Sequence, residues 1–174
     1  VFLDLKLHNI PNTVAGAVRA ADELGVDLLT VHAVGGEAML RAAAEAAERV
    51  RLLAVTVLTS LSEHELGAVW DRTLVDSTVE VVRLARLSTA AGIDGVVSSA
   101  HEAAELRAQL GAEALIVTPG IRLPGGEAHD QTRVATPAMA VNAGADALVL
   151  GRAVTAASEP QQVLAQIRTQ LESV

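Results

Sequence analysis

Short apolar segments alternate with longer amphipathic segments along the whole chain, and this alternation limits the possible folds more than any other sequence feature. Strands that alternate with helices form parallel sheets, because each helix carries the chain back to the same end of the sheet. We predict six strand–helix units. Their strands are Val1–Leu7, Asp27–His32, Leu52–Leu58, Gly95–Ser98, Ala114–Val117 and Ala147–Leu150.

The length of each unit favours one parallel architecture. Six units over 174 residues give about 29 residues per unit, and eight such units approach the ~250 residues of a typical eight-stranded barrel. The competing open, doubly wound sheet carries a Gly-x-Gly-x-x-Gly turn, which this sequence lacks. The chain also begins inside a predicted buried strand. We therefore predict one α/β domain over residues 1–174, a (β/α)8 TIM barrel with about six of its eight units present and the first one or two missing.

Three helix starts are marked by capping residues. Ser62 with Glu65 and Ser77 with Glu80 have the spacing of a capping box, in which each side chain bonds the other's backbone N–H. Ser99, followed by Glu102, is expected to cap a further helix.

Composition excludes several function classes. The net charge is −8, and Phe2 and Trp70 are the only aromatic residues. This composition argues against nucleic acid as a partner, because phosphate binding needs a basic surface. No apolar run reaches the ~20 residues that span a bilayer, and the absence of cysteine excludes disulfides and thiolate metal sites. We expect a cytoplasmic protein that binds neither nucleic acid nor membranes.

The first strand places charges on a face that should be buried. Side chains alternate along a strand, so Phe2, Asp4 and Lys6 share the inner face, and Val1, Leu3, Leu5 and Leu7 share the outer one. Ionised groups inside a barrel need partners. One interpretation is a structural ion pair. The other is a catalytic centre, which the fold favours because barrel chemistry lies at the carboxyl ends of the strands.

The predicted loops after the last two strands could hold a phosphate group. The longest runs from Pro119 to Arg133 and contains Arg122 between glycines, and Gly151-Arg152 follows the last strand. Backbone N–H groups and a guanidinium can bind a phosphate there, and these loops form the common phosphate site of such barrels. Polar residues also follow the other strands: Asn9, His32, Thr59, Ser60 and Ser98.

The segment Asp-Leu-Lys-Leu-His-Asn-Ile-Pro-Asn-Thr, residues 4–13, resembles the signature of the orotidine 5′-phosphate decarboxylase family, Asp-x-Lys-x-x-Asp followed by Ile-Pro-Asn-Thr. The resemblance is closest to the bacterial branch and continues along the chain. It includes Val31–Ala33, Val55–Ser60, Val117–Arg122, Asp130-Gln131 and Gly151-Arg152. It implies a barrel that decarboxylates orotidine 5′-monophosphate to UMP, the last step of de novo pyrimidine biosynthesis. It also implies a homodimer with shared active sites, and neither cofactor nor metal.

The resemblance also implies roles for individual residues. Lys6 matches the lysine that protonates the carbon from which carbon dioxide leaves, and Asp4 matches the carboxylate beside the substrate's own carboxylate. For substrate binding, Thr13 matches a residue that reaches the ribose from the partner subunit, and Thr59 matches one that contacts the pyrimidine. The residues that match the phosphate-binding set are Arg122, Gln131, Gly151 and Arg152, and Gln131 also bridges toward the base. We interpret His32, Ser60 and Ser98 as packing or loop hydrogen-bonding residues.

The chain departs from the family pattern in two respects. Asn9 stands where the motif ends in aspartate, a residue that the second subunit normally supplies, so we predict slower turnover with an intact fold. A second lysine and an earlier aspartate, which the family carries on preceding strands, do not lie in these residues.

Two alternatives therefore stay open. One is a sugar-phosphate decarboxylase or aldolase on the same barrel, which shares Asp-x-Lys-x-x-Asp, normally uses magnesium and lacks the Ile-Pro-Asn-Thr, Arg122 and Gln131 features. The other is a truncated or decayed phosphate-binding scaffold without turnover.

Overall fold

The computed structural model describes residues 1–73, 75–123 and 134–172. Within them, six strands form one parallel sheet whose spatial order follows the chain order. The strands are β1 (Phe2–Leu7), β2 (Leu28–His32), β3 (Arg51–Val55), β4 (Gly95–Val97), β5 (Leu115–Thr118) and β6 (Ala147–Leu148). A doubly wound sheet would reverse its strand order at a switch point. The steady order therefore confirms the barrel-type winding, with six strand–helix units in place.

Helices connect successive strands on one side of the sheet. They are α1 (Pro11–Glu23), α2 (Glu37–Ala46), α3 (Glu63–Trp70), α4 (Ser77–Ala90), α5 (Ala100–Leu110), α6 (Pro137–Asn142), α7 (Arg152–Thr155) and α8 (Pro160–Glu172). Helix α1 ends before Gly25, whose φ of 72° suits a residue without a side chain.

The main core lies between the sheet and these helices. Leu29, Leu52, Val96 and Ile116, one from each of four neighbouring strands, are completely buried there. Because side chains alternate along a strand, the intervening residues face the other side of the sheet. Val55 and Val97 are two of them, and both line a cavity. The helices thus support the sheet from outside and leave its inner face for the site.

Strand β1 contains a bulge. Leu3 pairs with Leu29 and Leu7 with Val31, so three residues of β1 lie opposite Thr30 alone. Within the bulge, the Lys6 backbone has a left-handed conformation, with a φ of 52°. As expected, Leu3 and Leu7 pack on the core. Leu5, predicted on the same outer face, lies within the bulge and is 55% exposed.

The predicted boundaries hold with three corrections. Ser62 and Glu65 form the expected capping box of α3, and Ser99 accepts the His101 N–H at the start of α5. The box predicted at Ser77 is wrong, because the Asp76 carboxylate caps α4 instead, and Glu80 pairs with Arg72 and Arg83. Strand β3 ends at Val55 and β6 at Leu148, both earlier than predicted.

Candidate functional site

A cavity of about 250 Å³ lies at the carboxyl ends of the strands, on the inner face of the sheet. Strands β1, β3 and β4 contribute to its wall, together with the segments that follow β3, β5 and β6. Its polar and charged lining residues are Asp4, Lys6, Thr59 and Ser60, and its apolar ones include Phe2, Pro119 and Val149. The charged face predicted for β1 therefore does face a common cavity.

Asp4 and Lys6 form an ion pair in this cavity. The Lys6 Nζ is 2.5 Å from the Asp4 Oδ2, and the two side chains are 39% and 47% exposed. A pair at this exposure contributes about 0–1 kcal/mol to stability, whereas a left-handed backbone at a residue with a side chain costs about 1–3 kcal/mol. The arrangement is therefore poorly explained as a stabilising ion pair, and strain of this kind is typical of functional sites.

Thr30 links both members of the pair. Its hydroxyl accepts the Lys6 backbone N–H at 2.9 Å and donates to the Asp4 Oδ1 at 2.8 Å. The side chain is completely buried. The sequence analysis did not identify Thr30. Its position as the one polar residue in the apolar run Leu28–Val31 could have indicated it, because a buried hydroxyl needs a hydrogen-bond partner.

Two histidines lie beside the ion pair. The rings of His8 and His32 are 5.7 Å apart and tilted by 53°. Burial lowers the pKa of His32 below its usual 6.5; positive charge on His8 and Lys6 acts in the same direction, and Asp4 opposes it. Within the described residues, the buried His32 Nδ1 has no hydrogen-bond partner. His32 is therefore held toward the neutral form next to the charged pair.

Asn9 and Thr13 lie at the start of α1, outside the cavity wall. The Asn9 Oδ1 accepts the Ile10 N–H at 2.7 Å, and Thr13 lies in the first turn of the helix. Both residues are exposed. The structure thus brings together Asp4, Lys6 and Thr59 of the predicted set, and places Asn9 and Thr13 on the surface nearby in sequence.

The residues predicted to bind phosphate follow β5 and β6. Arg122 is 8% exposed and donates to the Ile121 carbonyl oxygen at 2.8 Å. Gly151 precedes α7, which begins at Arg152, and both residues are exposed. Gln131 lies outside the described residues. Ser98 is buried and donates to the Ser99 carbonyl oxygen at 3.4 Å, in keeping with a loop hydrogen bond.

The described residues contain neither a metal-binding cluster nor a membrane-spanning helix. Across residues 1–73, 75–123 and 134–172, no three His, Asp or Glu side chains converge as a metal site would require. In the same part of the chain, no helix combines the length and apolar character needed to cross a bilayer.

Known proteins resemble this chain over nearly its whole length. The model of the Orotidine 5′-phosphate decarboxylase / HUMPS family matches residues 1–167. Orotidine 5′-phosphate decarboxylase of Saccharophagus degradans is 51% identical over 175 residues, which cover 98% of this chain and 73% of the relative. The enzyme of the same name from Thermobifida fusca is 50% identical over 172 residues, which cover 99% of this chain and 73% of the relative.

A solved structure agrees with these sequence matches. The crystal structure of orotidine 5′-phosphate decarboxylase from Lactobacillus acidophilus superposes with a TM-score of 0.82 at 37% identity. The superposition covers 97% of this chain and 74% of the other. The likeness of fold therefore extends over nearly the whole chain.

Proposed function

Because this chain belongs to the Orotidine 5′-phosphate decarboxylase / HUMPS family, we propose that it decarboxylates orotidine 5′-monophosphate to UMP with Lys6 as the proton donor. This is the last step of de novo pyrimidine biosynthesis. The enzyme is a carboxy-lyase that uses no cofactor, in line with relatives at about 50% identity that carry this name. The observation that carries the proposal is the Asp4–Lys6 pair, held in a cavity at the carboxyl ends of parallel strands.

Lys6 supplies the central chemistry. Loss of carbon dioxide leaves an electron pair on a ring carbon without a good resonance sink. A fixed ammonium group aimed at this carbon stabilises the developing negative charge and then donates its proton to the same carbon. The proton moves from Nζ to the ring, and the carboxylate carbon leaves as carbon dioxide. The bulge supports this role, since it fixes the Lys6 backbone in one unusual conformation.

Asp4 has two effects on this step. Its carboxylate holds the Lys6 ammonium group in the cavity through the 2.5 Å contact. It also lies where the substrate's own carboxylate must enter, so the ground state contains two neighbouring negative charges. This repulsion is relieved when carbon dioxide leaves.

The remaining cavity binds the nucleotide. Thr59, which is 9% exposed and lines the cavity, contacts the pyrimidine. Arg122, Gln131, Gly151 and Arg152 bind the phosphate, and Gln131 also reaches toward the base. Binding energy gained at the distant phosphate orders the loops and positions the ring against Lys6.

The active unit is a homodimer with shared sites. Asn9 and Thr13 are exposed and lie outside the cavity wall of their own chain, which suits residues that act in the partner's site. Asn9 then supplies an uncharged amide where the family signature has a carboxylate, which slows turnover.

A second candidate is a magnesium-dependent sugar-phosphate enzyme, because the matching family model includes the HUMPS branch. The relatives at about 50% identity that are named as decarboxylases favour the first candidate. A phosphate-binding scaffold without turnover is the third.

The absorbance change on incubation with orotidine 5′-monophosphate tests the proposal. We expect one UMP per substrate consumed and an unchanged rate in EDTA. Turnover of a pentulose or hexulose phosphate only with added magnesium would favour the second candidate. Binding of UMP without turnover of either substrate would favour the scaffold.

A further inference from the structure

We infer that Thr30 is a positioning residue, which sets the direction of both the Asp4 carboxylate and the Lys6 ammonium group in the cavity. The inference rests on the proposed function, because it assigns Thr30 a role in the step that Lys6 performs. In the sheet register, Thr30 is the single β2 residue opposite the three-residue bulge of β1.

The Thr30 hydroxyl uses both of its hydrogen-bonding capacities on β1. Its oxygen accepts the Lys6 N–H and its proton goes to the Asp4 Oδ1, while the Asp4 Oδ2 faces the Lys6 Nζ. These contacts close a ring from the Lys6 backbone through Thr30 and Asp4 to the Lys6 side chain. Each carboxylate oxygen then has a separate partner, so the carboxylate cannot rotate without breaking a bond.

Burial makes Thr30 a rigid anchor for this ring. Thr30 is completely buried, whereas Asp4 and Lys6 are about half exposed to the cavity. A β-branched side chain has few accessible rotamers, so the hydroxyl remains where the strand places it. The hydroxyl also satisfies the N–H of a residue in left-handed conformation, which holds the bulge in its observed shape.

Loss of the hydroxyl should therefore affect the chemical step more than substrate binding. Without it, the Lys6 N–H loses its partner and the carboxylate is free to turn, so the ammonium group moves relative to the reacting carbon. Displacements near 1 Å can lower a rate by about a hundredfold. The distant phosphate contacts do not involve Thr30, so the KM should change little.

Three variants test this inference. Thr30→Val keeps the shape and removes the hydroxyl, and Thr30→Ser retains the hydroxyl. Thr118→Val is the matched control, because Thr118 is a completely buried threonine of β5 whose Oγ1 has no partner among the described residues. We expect Thr30→Val to lower kcat at least about tenfold with KM within about twofold. Thr30→Ser should recover most of the loss, and Thr118→Val should match the native rate.

A second readout does not depend on turnover. Lys6 is the only lysine of the chain, so ¹⁵N-lysine labelling gives a single backbone amide signal. Thr30→Val should speed the hydrogen exchange of this amide at least about tenfold, and Thr118→Val should leave it unchanged.

The two readouts separate the possible failures. Native kcat in Thr30→Val, or an equal loss in Thr118→Val, would overturn the positioning role while the proposed function stands. If the native chain shows no decarboxylation, the proposed function fails. In that case an unchanged hydrogen-exchange rate of the Lys6 amide in Thr30→Val would also overturn the anchoring, and faster exchange would support it.

Discussion

Gly95 of β4 lies so close to Leu115 of β5 that a Cβ atom on Gly95 would be 2.2 Å from the Leu115 carbonyl oxygen. The two residues are partners in the sheet register. Real Cβ atoms essentially never approach another heavy atom within 3.0 Å. The pairing of β4 with β5, which carries Val97 into the cavity wall, therefore depends on a residue without a side chain.

Gly95→Ala should destabilise the protein, because the contact is with backbone that can move only if the strands separate. We expect the free energy of unfolding to fall by at least about 1–3 kcal/mol, measured by urea denaturation. Gly16→Ala is the matched control: its Cβ would meet nothing within 4 Å, and alanine inside α1 should add about 0.5–1 kcal/mol. If Gly95→Ala is as stable as the native chain, the close approach of Gly95 to Leu115 does not constrain the sheet.

The Asp22 carboxylate predicts a pH dependence of stability. It accepts the backbone N–H groups of Val50 and Arg49 at 2.6 and 2.8 Å. These bonds, Val50 first, lower the pKa of Asp22 below its usual 3.8. A carboxylate whose folded pKa is lowered stabilises the fold above its unfolded pKa and loses this effect as the pH falls through the folded pKa.

Asp22→Asn should therefore be less stable than the native chain at pH 7, and the difference should shrink as the pH falls through 3.8 and below. Urea denaturation of both proteins between pH 7 and pH 2.5 measures this difference. A difference in unfolding free energy that stays constant over that pH range would show that the charge of Asp22 does not contribute to stability.

Asn9→Asp should raise turnover. Aspartate keeps an oxygen that can accept the Ile10 N–H, now 2.7 Å from the Asn9 Oδ1, so the start of α1 should not change. Only the charge differs, and the family signature places a carboxylate there. Steady-state decarboxylation of both proteins tests this, with unfolding curves as the control. A rate no higher than that of the native chain would refute the role assigned to Asn9.

Much of the fold was predictable because the hydrophobic pattern repeats. Strand–helix alternation predicted six parallel strands, and the alternation in β1 placed Phe2, Asp4 and Lys6 on one face. The apolar run through Leu58 misled the prediction for β3, because Val57 is buried outside the strand. Periodicity cannot separate a buried loop from a strand in so short a run.

The meeting of Asp4, Lys6 and Thr59 in one cavity was predictable from the alternation in β1 and from the position of Thr59 after a strand. The bulge and the contacts of Thr30 were not, because they arise from pairing between β1 and β2, and no local pattern specifies a left-handed lysine. The upstream units, the homodimer and the cytoplasmic location stay predictions, as do the roles of Gln131 and the other phosphate-binding residues.

The central claim is that the Lys6 ammonium group performs the decarboxylation, and the Lys6→Gly variant tests it most directly. Glycine accepts the φ of 52°, so the ammonium group is lost without new backbone strain. The measurement is kcat/KM for orotidine 5′-monophosphate, with a urea unfolding curve to show that the variant is folded. We expect native turnover and a loss of at least about 10³-fold in the variant. A folded Lys6→Gly protein that decarboxylates at the native rate would contradict the account.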